Sequence, residues 1–366
     1  MRFDRYFQNP DNVRPLLDRL KELAEQAGPV TLMEICGTHT MAIAKTGLKS
    51  LLPDSVRLIS GPGCPVCVTP ASVIDAVLHL TEDPKVILTS YGDLLRVPGT
   101  LQGDCLLYRK AMGAQVESVY SPMEALALAA EHPDKEVVFL GIGFETTAPG
   151  TALCLLEAQA QKLHNFSVLC QLRRTEPALR SLIGASDFLV NGFLCPGHVA
   201  AVTGSDAFSF LPKEYGLPAV VSGFEAADLL FSVSELIKML ACGKPALINE
   251  YTRAVRPQGN PSALSMITQV FENCDSTWRG LGLVKEGGYR IRAPFAPWDA
   301  SRKFSFSAET ESEKEIPGCR CAQVIRGVLS PDQCPLFGRR CTPKDPVGPC
   351  MVSSEGACAA AYRYRQ

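Results

Sequence analysis

Cysteine placement decides what chemistry this chain can do. Six of its fifteen cysteines crowd the last fifty residues: Cys319, Cys321, Cys334, Cys341, Cys350 and Cys358. Four thiolates hold a four-iron, four-sulfur cube, so six leave two sulfurs over, enough for a dithiol that gains or loses electrons beside a redox centre. The spacing is Cys-x-Cys, then gaps of twelve, six, eight and seven residues. It matches neither a common zinc pattern nor the ferredoxin run, and six thiols exceed what one zinc ion uses. Iron–sulfur is the preferred reading.

A second thiol group lies far upstream, in Cys36-Gly37-Thr38-His39-Thr40 and Gly61-Pro62-Gly63-Cys64-Pro65-Val66-Cys67. Each follows a short apolar run and opens a helical pattern. A helix N-terminus offers free N–H groups and partial positive charge, which favour a thiolate, so Cys36, Cys64 and Cys67 are expected to ionise near neutral pH. His39, in the first helical turn, is placed to donate a hydrogen bond or a proton. A structural zinc half-site at Cys64 and Cys67 would need two further ligands, and the first 300 residues hold no second C-x-x-C or H-x-x-x-H. A dithiol–disulfide pair is the better reading.

Three weaker candidates also fall where apolar runs end: Asp93 in Ser90-Tyr91-Gly92-Asp93, Glu145 before Thr146-Thr147, and His198 in Pro196-Gly197-His198-Val199. Each has a plain alternative, a turn for Asp93 and His198 and helix capping by the threonines beside Glu145. Their common position at strand ends is what raises them, because parallel sheets bind ligands there. Cys105, Cys154, Cys170, Cys242 and Cys274 read as buried small hydrophobes; Cys195, directly before Pro196, stays open.

The elements that must carry these residues alternate short apolar runs with helical stretches. Runs at 30–35, 56–60, 86–90, 116–120, 136–141, 167–172, 187–190 and 219–222 predict strands, with helices between them. The fold class is therefore α/β, with two doubly wound parallel-sheet domains, divided near Tyr120, and a smaller irregular iron–sulfur domain. The expected domains are 28–120, 121–242, and a third built from 1–27 and 243–366. Gly143-Phe144-Glu145 recurs as Gly223-Phe224-Glu225, each time after a strand.

At 366 residues the chain is long enough for two or three cores, and its net charge of −2 disfavours a general nucleic-acid binder. It holds no apolar run of transmembrane length, and Met1-Arg2-Phe3-Asp4-Arg5-Tyr6 lacks the apolar core of a signal peptide. A cytoplasmic location is expected, where thiols serve as ligands or catalysts more than as structural disulfides.

Taken together, these motifs resemble the HypD family of hydrogenase maturation proteins. The likeness covers the Cys36, Cys64–Cys67, Asp93, Glu145 and His198 motifs. It extends to the C-terminal runs Cys334-Pro335-Leu336-Phe337-Gly338 and Cys350-Met351-Val352-Ser353-Ser354-Glu355-Gly356. The resemblance implies a role in building the Fe(CN)₂CO unit of [NiFe] hydrogenases, in complex with HypC and with cyanide supplied by HypE. It implies a [4Fe-4S] cluster on Cys319, Cys334, Cys341 and Cys358, and a redox-active pair of Cys321 and Cys350. Cys36 is then the expected thiolate ligand of the iron fragment, and electrons are expected to pass by way of Cys321 and Cys350 to Cys64 and Cys67. The alternative is a stand-alone iron–sulfur thiol–disulfide oxidoreductase.

Overall fold

The computed structural model describes residues 10–101, 103–306 and 316–364; the charged stretch Met1–Tyr6 lies outside them. Two parallel sheets form the body. The first contains β1 (Val30–Glu34), β2 (Val56–Ser60), β7 (Gly192–Pro196), β8 (Ala219–Ser222) and β9 (Leu247–Asn249), in the order β2-β1-β7-β8-β9. The second contains β3 (Val86–Ser90), β4 (Val116–Ser118), β5 (Glu136–Gly143) and β6 (Phe166–Leu172), in the order β4-β3-β5-β6. Their interior strands are buried on both faces, which is why they read as continuous apolar runs and not as alternating ones.

Both sheets start from an inner strand, add one neighbour, then cross to the other side. Each therefore has a switch point, between β1 and β7 in the first and between β3 and β5 in the second, where the chain leaves adjacent strands in opposite directions and opens a crevice. Cys36 and His198 follow the strands flanking the first switch point; Asp93 and Glu145 follow those flanking the second.

The α/β class with two parallel sheets holds, but the sheets do not divide at Tyr120. β3 and β4 pair with β5 and β6, while β7 and β8 return to β1. The first sheet is thus discontinuous in sequence, with the second inserted between β2 and β7. Pairing is a long-range choice that apolar runs do not encode: Leu32 pairs with Gly192, and the Thr31 N–H donates to Asn191 Oδ1 at 2.7 Å. The run 187–190 is not a strand, since β7 begins only at Gly192.

Helix Pro10–Ala27 buries Leu20, Leu23 and Ala24 among Leu32, Val233 and Leu236, against helix Ala226–Cys242. It belongs to the first sheet's unit and not with the C-terminal lobe. The region after Lys244 is also more ordered than its composition suggests. β9 closes the first sheet, and β10 (Phe271–Trp278) and β11 (Gly282–Ile291) form an antiparallel hairpin bridged to Arg173 through Gly288. Among the described residues beyond 316 the helices are short, among them Cys321–Ile325, Pro349–Val352 and Ala357–Arg363. Among the described residues no helix is long and apolar enough to cross a membrane.

Candidate functional site

Cys36 caps helix Gly37–Thr46 with extended backbone, directly after β1. Glycine lets two other segments close on it. Gly63 lies so near that a Cβ would meet the Cys36 nitrogen at 2.2 Å, and the Gly37 N–H donates to the Gly63 carbonyl at 2.9 Å. Cys64 follows immediately and caps the short helix Pro65–Val68, with its sulfur accepting from the Cys67 N–H at 3.2 Å. Cys64 and Cys67 are joined as a disulfide. The sequence reading separated these motifs by about thirty residues, and parallel pairing of β1 with β2, Glu34 opposite Ser60, brings them together.

The expected activation of Cys36 is not found. Burial pushes its thiol up to about 12, with the acidic groups Glu34 and Glu355 adding to the rise and the His39 N–H offsetting part of it. A partial helix charge is worth a kcal/mol or so, which full desolvation outweighs. Cys36 is a protonated thiol until something cationic displaces the proton.

His39 is wholly buried. Its Nε2 lies 3.2 Å from the Ser222 carbonyl and 2.9 Å from that of Gly223, so Nε2 carries the hydrogen and donates. Burial lowers its pKa to about 4, the two carbonyls notwithstanding, and Nδ1 has no hydrogen-bond partner. With Nε2–H spent on the two carbonyls and a pKa this low, the ring offers its free Nδ1 lone pair as a hydrogen-bond acceptor and is not an acid at neutral pH. Phe224 tilts over this ring at 4.8 Å, and His198 stacks on Phe224 at 3.9 Å. Both histidines thus join the Cys36 region, with His198 at the exposed end.

The C-terminal lobe closes over both switch points. Thr38 donates to Glu355 at 2.8 Å, and a Cβ at Gly37 would strike the Glu355 Cβ at 2.4 Å. Ser353 donates to Asp93 at 3.4 Å; burial raises the pKa of both Asp93 and Glu355. Cys350 lies just upstream, joined to Cys321 as a disulfide, and a small cavity is lined jointly by Cys64, Cys67, Cys350 and Glu355. All six C-terminal cysteines line one further, apolar cavity, where a Cβ at Gly348 would come 2.7 Å from the Cys319 sulfur. Burial raises the thiols of Cys319 and Cys358 there, and their cysteine neighbours add to the rise. Among the described residues no three potential ligands close tightly on a single ion.

Glu145 takes a different part. Its carboxylate accepts from the Thr175 N–H at 2.7 Å and the Thr175 hydroxyl at 2.8 Å, at the start of helix Thr175–Ile183. The expected capping by the threonines does not occur, since Thr147 makes no side-chain cap at helix Ala148–Gln161; Glu145 instead accepts at the start of the following helix. Cys195 and Cys154 are fully buried, as a structural role requires, but Cys242 is exposed and Cys105, Cys170 and Cys274 are intermediate.

Four residues escaped the sequence reading as site members: Glu34, Thr40, Phe224 and Glu355. The signals were present for three. Phe224 sits in the repeated Gly-Phe-Glu, Glu355 in a quoted motif, and Glu34 is an acid at the end of an apolar run. Thr40 gave none beyond its place in the Cys36 motif.

Two switch-point sheets roofed by a cysteine-rich lobe, with Cys36 and the Cys64–Cys67 disulfide buried side by side beyond β1 and β2, define an α/β protein organised around cysteine sites. Residues 11–365 match the HypD family model, described as "Hydrogenase formation hypA family". The chain is 44% identical to the hydrogenase maturation factor HypD of Azotobacter vinelandii over 100% of its length and 97% of that protein's. With the Escherichia coli K12 protein of the same name it is 44% identical, covering 100% and 99%, and with that of Cupriavidus necator 41%, covering 100% and 97%. The chain belongs to the HypD family.

Proposed function

We propose that this protein is a hydrogenase maturation factor that grips the iron of a nascent Fe(CN)₂CO unit through Cys36. The observation that carries the reading is that Gly63 brings the Cys64–Cys67 segment against the Cys36 backbone, while Cys350 of the C-terminal lobe shares a small cavity with Cys64 and Cys67. Low-spin iron with cyanide and carbonyl ligands is a soft centre suited to thiolate. Iron binding would release the proton that burial keeps on Cys36, and the neutral, unpartnered Nδ1 of His39 is suited to accept a hydrogen bond or orient a ligand. HypC is the proposed partner that shares the iron, and HypE the source of cyanide. The cytoplasm, with its reducing thiol pool, is the proposed setting.

Cys319, Cys334, Cys341 and Cys358 would hold a [4Fe-4S] cluster; their common apolar cavity and soft donor set fit that group. Such a cluster, when bound, supplies single electrons. The chain's own thiols then act by exchange. A reduced Cys321–Cys350 pair attacks the Cys64–Cys67 disulfide through Cys350, forming a mixed disulfide. Cys321 resolves it, so one pair is oxidised, the other is reduced, and two protons move with the two electrons. The shared cavity supports contact between the two pairs.

That same cavity also suits a stand-alone thiol–disulfide oxidoreductase. Infrared spectra of the purified complex separate the two. Cyanide and carbonyl stretches that disappear in Cys36→Ala are expected; their absence from the wild-type complex, with disulfide reductase activity intact, overturns the scaffold reading. Cys350→Ala should keep the iron–sulfur absorption while maturation falls.

A further inference from the structure

Glu34 ends β1 with its side chain buried, 1% exposed. No cation reaches it within ion-pair distance among the described residues, although Lys49 acts on it from farther away. Its partners are instead neutral donors from three places. The Cys36 N–H donates to Oε2 at 3.0 Å, the Thr40 hydroxyl donates to Oε1, and the Ser60 hydroxyl bonds from the end of β2. One carboxylate thereby ties together the amide of the thiol residue, the first turn of its helix and the neighbouring strand. Burying a carboxylate against neutral donors is costly, and a strand end needing only stability would be served as well by an apolar side chain.

The same residues separate two cavities. Thr40, Ser60 and Ala357 line the small chamber shared by Cys64, Cys67 and Cys350, and they also line a cavity of about 440 Å³ between β2 and the C-terminal lobe. The larger cavity carries Lys49 and Arg57 on its wall, both exposed. The hydroxyls beside Glu34 therefore stand between the open cavity and the chamber of Cys64, Cys67 and Cys350.

We propose that Glu34 is a positioning residue for the Cys36 site: its carboxylate fixes the Cys36 amide and holds the Thr40 and Ser60 hydroxyls as the wall that keeps small solutes of the larger cavity away from the thiols. The proposal takes Cys36 as the working thiol, and so rests on the function proposed above. Removing the carboxylate frees three donors at once, loosens the first helical turn and opens the wall.

The test is alkylation of the reduced full-length protein by iodoacetamide, read at individual cysteines by mass spectrometry. Cys242, already exposed, serves as the reference, and Cys154, buried in the other sheet's unit, reports general loosening. In Glu34→Ala the Cys36 rate should rise about tenfold relative to Cys242, as expected for loss of a buried charged hydrogen-bond partner, with Cys154 unchanged. Glu34→Gln, which keeps one acceptor oxygen, should fall between, and Ser60→Ala should raise the rate less than Glu34→Ala. In the iron-loaded complex, the Cys36-dependent infrared bands should weaken in the same order. Wild-type Cys36 rates in Glu34→Gln and Ser60→Ala, or a parallel rise at Cys154, would overturn the proposal. Because alkylation needs no iron, a wild-type complex without Cys36-dependent bands would sink the maturation reading alone. If Glu34→Ala does not fold, Glu34→Gln and Ser60→Ala carry the same comparison.

Discussion

The two Gly-Phe-Glu turns show how far one tripeptide can diverge. Both follow an inner strand of a parallel sheet. In the inserted sheet, Phe144 is buried and stacks on Trp278 at 5.7 Å, and Glu145 caps a helix. In the first sheet, Phe224 is half-buried between His39 and His198, the Gly223 carbonyl accepts from His39, and Glu225 forms a capping box with Asp228. The tripeptide specifies a turn out of a strand in both places. One turn is packed under the β10–β11 hairpin and works as structure; the other is left open beside Cys36 and works as part of the site. What covers a turn decides what it does.

That contrast is sharpest in stability. Phe144→Ala should cost about 3–5 kcal/mol, as full truncation of a buried aromatic does, with the Cys36-dependent infrared bands unchanged in whatever fraction remains folded; urea denaturation gives the first quantity. Equal costs for Phe144→Ala and Phe224→Ala would break the comparison.

His39 supplies the next effect. Its pKa near 4 in the folded protein lies below the ordinary 6.5, so the unfolded chain binds the extra proton across that window. Its contribution is therefore present above pH 6.5 and is lost as pH falls towards 4, by up to about 3 kcal/mol. Glu34 has the opposite sign: raised from 4.5 to about 7, it favours the folded state at low pH and loses that contribution as pH rises through 7. Between pH 4.5 and 6.5 the two oppose one another. His39→Asn should remove the acid-side loss and leave stability falling as pH rises, measured by denaturation at a series of pH values. A profile unchanged by the substitution would show that His39 is not held neutral.

Phe224→Ala should cost less stability than Phe144→Ala, about 1–2 kcal/mol for a half-buried ring, yet disturb the infrared bands by uncovering His39. Thr175→Ala, which removes one of two donors to Glu145, should cost about 1 kcal/mol and leave the bands alone. A spectral change in Thr175→Ala would tie the second switch point to the proposed iron site and erase the distinction drawn here.

Much of this was legible in the residues, and for definite reasons. Strands buried on both faces appear as apolar runs, so β2, β3 and β8 match their expected spans, and glycine-bearing turns mark where each strand ends. Cys36, Cys64 and Cys67 stood out because thiols after such turns are rare and chemically pointed. The division into domains was not legible, since the segment that forms β7 lies outside the expected runs and carries no mark of pairing with β1 across the whole inserted sheet. Nor was the state of Cys36, because helix position argued for a thiolate while the opposing desolvation depends on Gly63, Glu34 and Glu355 meeting there.

Local chemistry, then, was determined by the sequence alone: which residues turn, which cap, which sulfurs are available and which strand ends carry them. Tertiary structure decided which of those ends meet. It placed Phe224 on His39 and Glu145 on a helix, set Cys350 beside Cys64 and Cys67, and buried a carboxylate against the Cys36 amide. Burial and long-range pairing are properties of the whole assembled chain, and no short stretch of residues contains them.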